Sequence, residues 1–118
     1  MEYLYYFNNA SLTLKIFEYL YSFHQMPKAI ITVINQNDGW LVRVKMYSTL
    51  DAHQDGDFRA YLNEFGIPEE PSRRLKMVFL SLEAGYSPLD IMRRYQMIVV
   101  AHGSSQPQEI EAFRKLFI

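Results

Sequence analysis

The sequence contains no cysteine, no long apolar run and no excess of charge of either sign. Without cysteine the chain cannot form disulfides, thiolate metal sites or a cysteine nucleophile. No apolar stretch approaches the roughly 20 residues that a membrane-spanning helix needs. The first residues, MEYLYYFNN, open with an acid where a secretory signal has basic residues. We therefore expect a cytoplasmic protein in a reducing compartment.

The charge balance argues against a protein that binds nucleic acid through its overall charge. Twelve Lys and Arg residues stand against 13 Asp and Glu residues, which gives a net charge of −1. Non-specific binding to nucleic acid needs a basic excess, so such a surface would have to be local. The sequence also has no GxxxxGK phosphate loop, no GxSxG elbow and no HExxH zinc helix. No motif gives a reason to propose an enzyme or a cofactor.

Apolar and aromatic side chains are abundant. Hydrophobic residues make up 49% of the 118 residues and aromatic residues 15%, with nine Tyr and eight Phe. A chain of this length and hydrophobicity is expected to fold as one domain, residues 1–118. Tyrosine is favoured at interfaces, because its ring supplies apolar area while its hydroxyl stays hydrogen-bonded.

The distribution of apolar residues predicts an α+β fold. Strands are indicated over 2–8 and in a hairpin over 28–48. The apolar run 96–101 is interpreted as a third strand segment, with a continued helix as the alternative. Apolar stripes and capping residues predict helices that begin at Ser11, at Asp55 or Asp57, near Pro71, at Ser87 and at Ser105. We expect a small, mostly antiparallel sheet, built around the 28–48 hairpin and packed on one face by four or five helices.

The hairpin allows its register to be predicted. Asp38-Gly39 favours a two-residue turn of type I′, in which both residues need positive φ angles. Counting outward from this turn gives an apolar face that pairs Val33 with Val44 and Ile31 with Met46. The opposite face is mixed and is expected to meet water; it pairs Ile34 with Arg43 and Thr32 with Lys45.

The aromatic residues carry the main prediction about function. In the first strand Tyr3, Tyr5 and Phe7 alternate with other apolar residues, so both faces of the strand are apolar. If a small sheet cannot bury all of them, an exposed patch results, and such patches mark binding or self-association. The alternative is a filled core with tyrosine hydroxyls at its rim. We expect a non-enzymatic interaction or regulatory protein that forms a homodimer through an aromatic interface: Tyr3, Tyr5, Phe7, Tyr19, Tyr21 and Trp40.

A DNA-binding regulator is the alternative from a different class. Residues 72–95 give a helix, a turn with Gly85 and a second helix, close to the spacing of a helix-turn-helix. In this interpretation basic residues of both helices would contact phosphates and bases: Arg73, Arg74, Lys76, Arg93 and Arg94. Arg94, however, stands where such motifs have another buried apolar residue.

The tail IVVAHGSSQPQEIEAFRKLF, residues 98–117, has a strand-loop-helix pattern around a His-Gly-Ser turn. It resembles the opening segment of the sirohydrochlorin and cobalt chelatases. The resemblance implies that His102 would handle a metal, with Gly103 and Ser104 shaping the loop. That family begins with this segment and builds a parallel α/β domain behind it, whereas here the segment comes last. We therefore do not assign the chain to the family and expect His102 to be a polar residue at a strand end.

An acidic stretch, Asp51 to Asp57, supplies the last candidate site. Its sequence DAHQDGD has carboxylates around a glycine, as in calcium loops. The twelfth position of such a loop needs a glutamate and is Leu62 here. A looser metal site from His53, Asp55 and Asp57 is the alternative to simple helix capping in a soluble loop.

Overall fold

The computed structural model describes residues 1–22, 28–36, 39–104 and 106–118. These residues form β1 (Glu2–Phe7), α1 (Ala10–Ser22), β2 (Ala29–Gln36), β3 (Gly39–Met46), α2 (Ala52–Phe65), β4 (Ile67–Pro68), α3 (Arg73–Glu83), α4 (Pro88–Tyr95), β5 (Ile98–Gly103) and α5 (Pro107–Phe117). The predicted α+β class is confirmed. Within the described ranges, no helix has both the length and the hydrophobicity to span a bilayer.

One five-stranded sheet organises the molecule, in the order β4-β1-β3-β2-β5. All neighbouring strands are antiparallel. The β2–β3 hairpin lies at the centre, as predicted, and the run interpreted as a strand over 96–101 is β5. The shortest strand, β4, consists of two residues and was not predicted.

The hairpin register differs from the prediction by two residues. Ile31 pairs with Val44, Val33 with Val42 and Gln36 with Gly39, so residues 37–38 connect the strands. A shift of two keeps every side chain on its predicted face, because side chains alternate with a period of two. Asp38 lies outside the described residues, and Gly39 is not among the residues with positive φ. Gly39 is instead needed for space, since a Cβ there would lie 2.0 Å from the Tyr6 ring.

Helices cover both faces of the sheet, whereas one covered face was predicted. On one face α1, α2 and α5 pack on the apolar side of the hairpin, with Phe17, Phe58 and Phe113 in the core. On the other face α3 and α4 bury Ile34 and Leu41. The predicted water-facing side of the hairpin is therefore a second core. The apolar stripe of α3 causes this arrangement, because it needs a surface against which to pack.

Two helix starts differ from the prediction. Asn9 and not Ser11 caps α1, since its Oδ1 accepts from the Leu12 amide at 2.9 Å. Asp51 caps α2 in a capping box with Gln54. Asp55 and Asp57, the predicted caps, lie inside that helix.

The other helix boundaries follow the predicted signals where they are described. Ser72 and Ser87 cap α3 and α4. Gly85 ends the first of these helices with φ of 99°, a conformation that favours glycine. Ser105, the predicted cap of α5, lies outside the described residues; the helix begins at Pro107, after Gln106.

Candidate functional site

Three of the four aromatic residues of β1 are in the main core. Tyr3, Tyr5 and Phe7 are all buried, and the Tyr3 ring meets that of Phe58 edge-on at 4.9 Å. The expected exposure of these side chains is not found, because α2 covers the strand that a small open sheet would have left uncovered. An interface has to use other residues.

The remaining predicted interface residues are nearer the surface. Tyr19 is half-buried among the rings of Phe58 and Tyr61, and Tyr21 is exposed. Trp40 is half-buried, and its ring lies 5.0 Å from that of Phe117 on α5. Trp40 thus lies between the core and the end of α5.

Exposed apolar side chains lie on the edge strand β5 and at the end of α5. Ile98 of β5 is 56% exposed and Leu116 of α5 is 74% exposed, with Phe117 and Ile118 beside the latter. A groove of about 180 Å³ separates the end of β5 from α5 and is lined by Phe113, Leu116 and Phe117. We call the outer edge of β5, together with Ile98, Leu116, Phe117 and Ile118, the β5 surface.

The two edges of the sheet differ in their protection. The β4 edge has two residues including Pro68, and Glu69-Glu70-Pro71 follow it. Proline, charge and shortness all discourage pairing with another chain. β5 has six residues, IVVAHG, with neither proline nor a carboxylate or lysine. Its one irregularity is a bulge at Val100, which lies between the residues paired with Val33 and Ile34.

A second candidate site is a cleft of about 540 Å³ between β1, α3 and residues 68–71. At its base lies Arg43, which is 5% exposed. Arg43 Nη2 donates to Glu2 Oε1 at 2.5 Å and to Glu83 Oε1 at 2.6 Å. The guanidinium lies 4.6 Å from the centre of the Phe79 ring. We call this space the Arg43 cleft.

The charges at the base of the Arg43 cleft are closely coupled. Lys45 Nζ donates to Glu83 Oε1 at 2.8 Å. The hydrogen bonds from Lys45 and then from Arg43 hold the pKa of Glu83 below its usual value. Arg43 Nε is buried and has no hydrogen-bond partner among the described residues. A buried donor without a partner lowers the stability of the folded state, and most buried polar groups in proteins have a partner. Arg43 Nε is therefore an exception that needs an explanation.

Tyr3, which also lines the cleft, belongs to a structural cluster with α2. Its hydroxyl donates to Asp55 Oδ1 at 2.6 Å, and Arg59 Nε donates to both oxygens of Asp55 at 3.1 Å. Burial, and then the hydrogen bond to Asp55, raise the pKa of Tyr3. The hydrogen bond from Tyr3 lowers the pKa of Asp55. Asp55 is thereby used in holding α2 to β1.

The acidic stretch 51–57 is not a loop. It forms the cap and first turns of α2, where His53 Nε2 lies 3.2 Å from Asp57 Oδ2 and Asp55 faces Tyr3. Across the described residues, no three His, Asp or Glu side chains come together as metal ligands. Asp51 caps the helix, Asp55 accepts from Tyr3 and Arg59, and Asp57 pairs with His53, so the carboxylates of this stretch have structural partners.

His102 lies within β5 and pairs with Thr32. Its Nδ1 is 2.8 Å from the Thr32 hydroxyl, so a side chain and not the backbone is its partner. Burial, and then the charge of Arg43, lower the pKa of His102. The strand is the edge of an antiparallel sheet, which differs from the parallel setting that the chelatase resemblance implies.

The predicted helix pair over 72–95 is present as α3 and α4. Arg73 and Arg74 are exposed in the first turn of α3, and Lys76 lines the Arg43 cleft. Arg93 and Arg94 are exposed in the last turn of α4, with Arg94 over the Tyr86 ring. Binding to DNA stays a prediction, for which the test is salt-dependent binding to duplex that weakens on Arg93→Ala and Arg94→Ala.

Sequence reasoning missed both the β5 surface and the Arg43 cleft. The cleft had a signal in α3, where Lys76, Phe79, Leu80 and Glu83 recur at i, i+3, i+4 and i+7 and form a second stripe beside the buried one. The Arg43 partners are 40 and 41 residues away along the chain and had no local signal. Comparison of the chain with protein-family models, with curated proteins and with solved structures found no match.

Proposed function

We propose that this protein is a non-enzymatic interaction module that forms a two-fold homodimer through its β5 surface. The observation that carries the proposal is the outer edge of β5, which has no proline, carboxylate or lysine, together with exposed Ile98 and Leu116. Soluble monomers usually protect such edges, and this chain does so at β4. The aromatic residues of the proposed interface are Phe117, which belongs to the β5 surface, and Trp40, whose ring packs against that of Phe117.

A second copy of the chain suits this surface better than an unrelated partner. A two-fold axis places two β5 strands antiparallel, so that the same surface is used on both subunits and each contact between them occurs twice. The dimer would contain one continuous ten-stranded sheet. The Val100 bulge interrupts regular pairing, so few main-chain hydrogen bonds can form. Apolar side chains must then supply most of the stability, at up to about 1.5–3 kcal/mol for each Ile or Leu that becomes fully buried.

The oligomeric state tests the proposal. In size-exclusion chromatography with light scattering, we expect a dimer that dissociates on dilution. Ile98→Lys and Leu116→Lys should give monomers, because each places a charge in the interface. Ile67→Lys is the matched control: Ile67 is 59% exposed but lies on β4, at the opposite edge of the sheet. A wild-type chain that stays monomeric at high concentration, or equal dissociation by the control, would contradict the proposal.

The absence of cysteine permits a geometric test. Single cysteines at Ile98, Ala101 and Gly103 sample the length of β5. Only residues near the two-fold axis come within the roughly 4.4–6.8 Å Cα separation that a disulfide needs. We expect rapid crosslinking at one of these positions and not at Ser48, an exposed control beyond β3. Crosslinking at Ser48 at the same rate would indicate random collision and would count against the dimer.

A further inference from the structure

We infer that the Arg43 cleft binds a small zwitterion, with one carboxylate and one ammonium group around an apolar body, the chemistry of an α-amino acid. This inference is independent of the proposed dimer, because the cleft lies at β1 and β5 is the opposite edge of the sheet. It depends on unused hydrogen-bonding capacity, unpaired charges and the shape of the cleft.

Arg43 has donors left over. Both of its hydrogen bonds are made by Nη2, and Nε is the buried side-chain atom without a partner among the described residues. Nη1 likewise makes no hydrogen bond to the described residues, and Arg43 lines the cleft. A carboxylate placed there would accept a charge-assisted hydrogen bond, which is among the stronger kinds.

The rim of the cleft carries charges of both signs that are not paired within the described part of the chain. Arg43 is bonded to Glu2 and Glu83 and Arg59 to Asp55, whereas Lys76, Glu69 and Glu70 form no ion pair there. Lys76 stands one helical turn before Phe79, the ring on which the Arg43 guanidinium rests. We assign Arg43 and Lys76 as the cationic pole of the cleft and Glu69 and Glu70, on the segment after β4, as its anionic pole; all four residues line it.

This pattern of charge selects a zwitterion over simpler ligands. The four glutamates that line the cleft would repel a plain anion, and Arg43, Arg59 and Lys76 would repel a plain amine. The lining also includes the apolar side chains of Leu4, Phe79 and Leu80. A volume of about 540 Å³ is within the range of small-molecule sites and exceeds one amino acid, so a dipeptide also fits.

Three matched probes test the class of ligand. Leucine carries both charges, 4-methylpentanoate lacks the ammonium group, and 3-methylbutylamine lacks the carboxylate. We expect leucine to shift the amide resonances of Leu4, Phe79 and Leu80 in a heteronuclear NMR titration, with an affinity at least about tenfold above that of either analogue. The same titration on Ile98→Lys keeps the result separate from any change in oligomeric state.

Exposed variants identify the poles without disturbing the core. Lys76→Gln and Glu70→Gln should each weaken leucine binding about tenfold, whereas Lys115→Gln on α5 should leave it unchanged. If leucine and the other amino acids leave the cleft resonances unmoved at millimolar concentration, the inference is wrong. It is equally wrong if either analogue binds as well as leucine, or if Lys115→Gln weakens binding as much as Lys76→Gln.

Discussion

Around Arg43, removal of the anions should destabilise the protein more than removal of the cation. The Arg43 side chain is 6% exposed, whereas those of Glu2 and Glu83 are 53% and 32% exposed. In Arg43→Met both carboxylates can turn to water, and the unpartnered Nε is removed. In the double variant Glu2→Gln with Glu83→Gln, the guanidinium stays buried against neutral amides.

The expected sizes follow from this difference in burial. Replacing a buried ion by an apolar side chain is often close to neutral, so Arg43→Met should lower the free energy of unfolding by about 1 kcal/mol or less. Leaving a buried charge uncompensated typically costs about 3–5 kcal/mol. We expect the double variant to lower the free energy of unfolding by about 3 kcal/mol, the lower end of this range, because the amide oxygens of the glutamines still accept hydrogen bonds from Arg43.

Urea unfolding at pH 7 measures both values. With an m-value of about 2 kcal/mol/M, the double variant should move the midpoint by about 1.5 M and Arg43→Met by about 0.5 M. Unchanged m-values are needed to assign the shifts to stability. A larger shift for Arg43→Met than for the double variant would refute the reasoning, because the cation would then contribute more than its burial costs.

Two further predictions concern the glycines and His102. Gly66→Ala should lower the midpoint of thermal unfolding, because the added Cβ would lie 2.6 Å from the Phe7 ring and 2.8 Å from the Tyr6 carbonyl oxygen. Gly56→Ala should raise the midpoint, because that position in α2 is open and alanine stabilises a helix over glycine by up to about 1 kcal/mol. Effects of the same sign for the two variants would contradict this prediction. The pKa of His102 is lowered in the folded state, so the unfolded chain takes up the proton first and stability should fall as the pH drops below about 6.5. His102→Gln should flatten this loss in urea titrations between pH 7 and 5, and an unchanged slope would show that other groups cause it.

The parts of the fold that depend on local pattern could be predicted. The stripes of α2 and α3, the cap Ser87 and the central hairpin all act through neighbouring residues. The hairpin register was wrong because Asp38-Gly39 is a strong local turn signal, whereas the Tyr6 ring requires Gly39 within β3. That ring belongs to another strand and gives no signal near the turn.

The sites could not be predicted, because they depend on contacts between distant segments. Arg43 and Lys45 looked like water-facing residues, and pairing with Glu83 is what allows α3 to cover them. The sequence suggested that a small sheet could not bury Tyr3 and Tyr5. In the structure α2 covers them and supplies hydrogen-bond partners for both hydroxyls, Asp55 and Asn63. Composition indicates how much apolar surface exists but not which element covers it.

The sheet divides the interior into two cores of unequal size. Sixteen buried residues of the described chain form the core under α1, α2 and α5, and eight form the core under α3 and α4. Because less apolar burial holds α3 and α4, this pair should detach first in native-state fluctuations, while the sheet persists. Detachment would dismantle one wall of the Arg43 cleft, so a molecule bound there would slow proteolytic cleavage between the two helices. Susceptibility to proteases would thus report occupancy of the cleft.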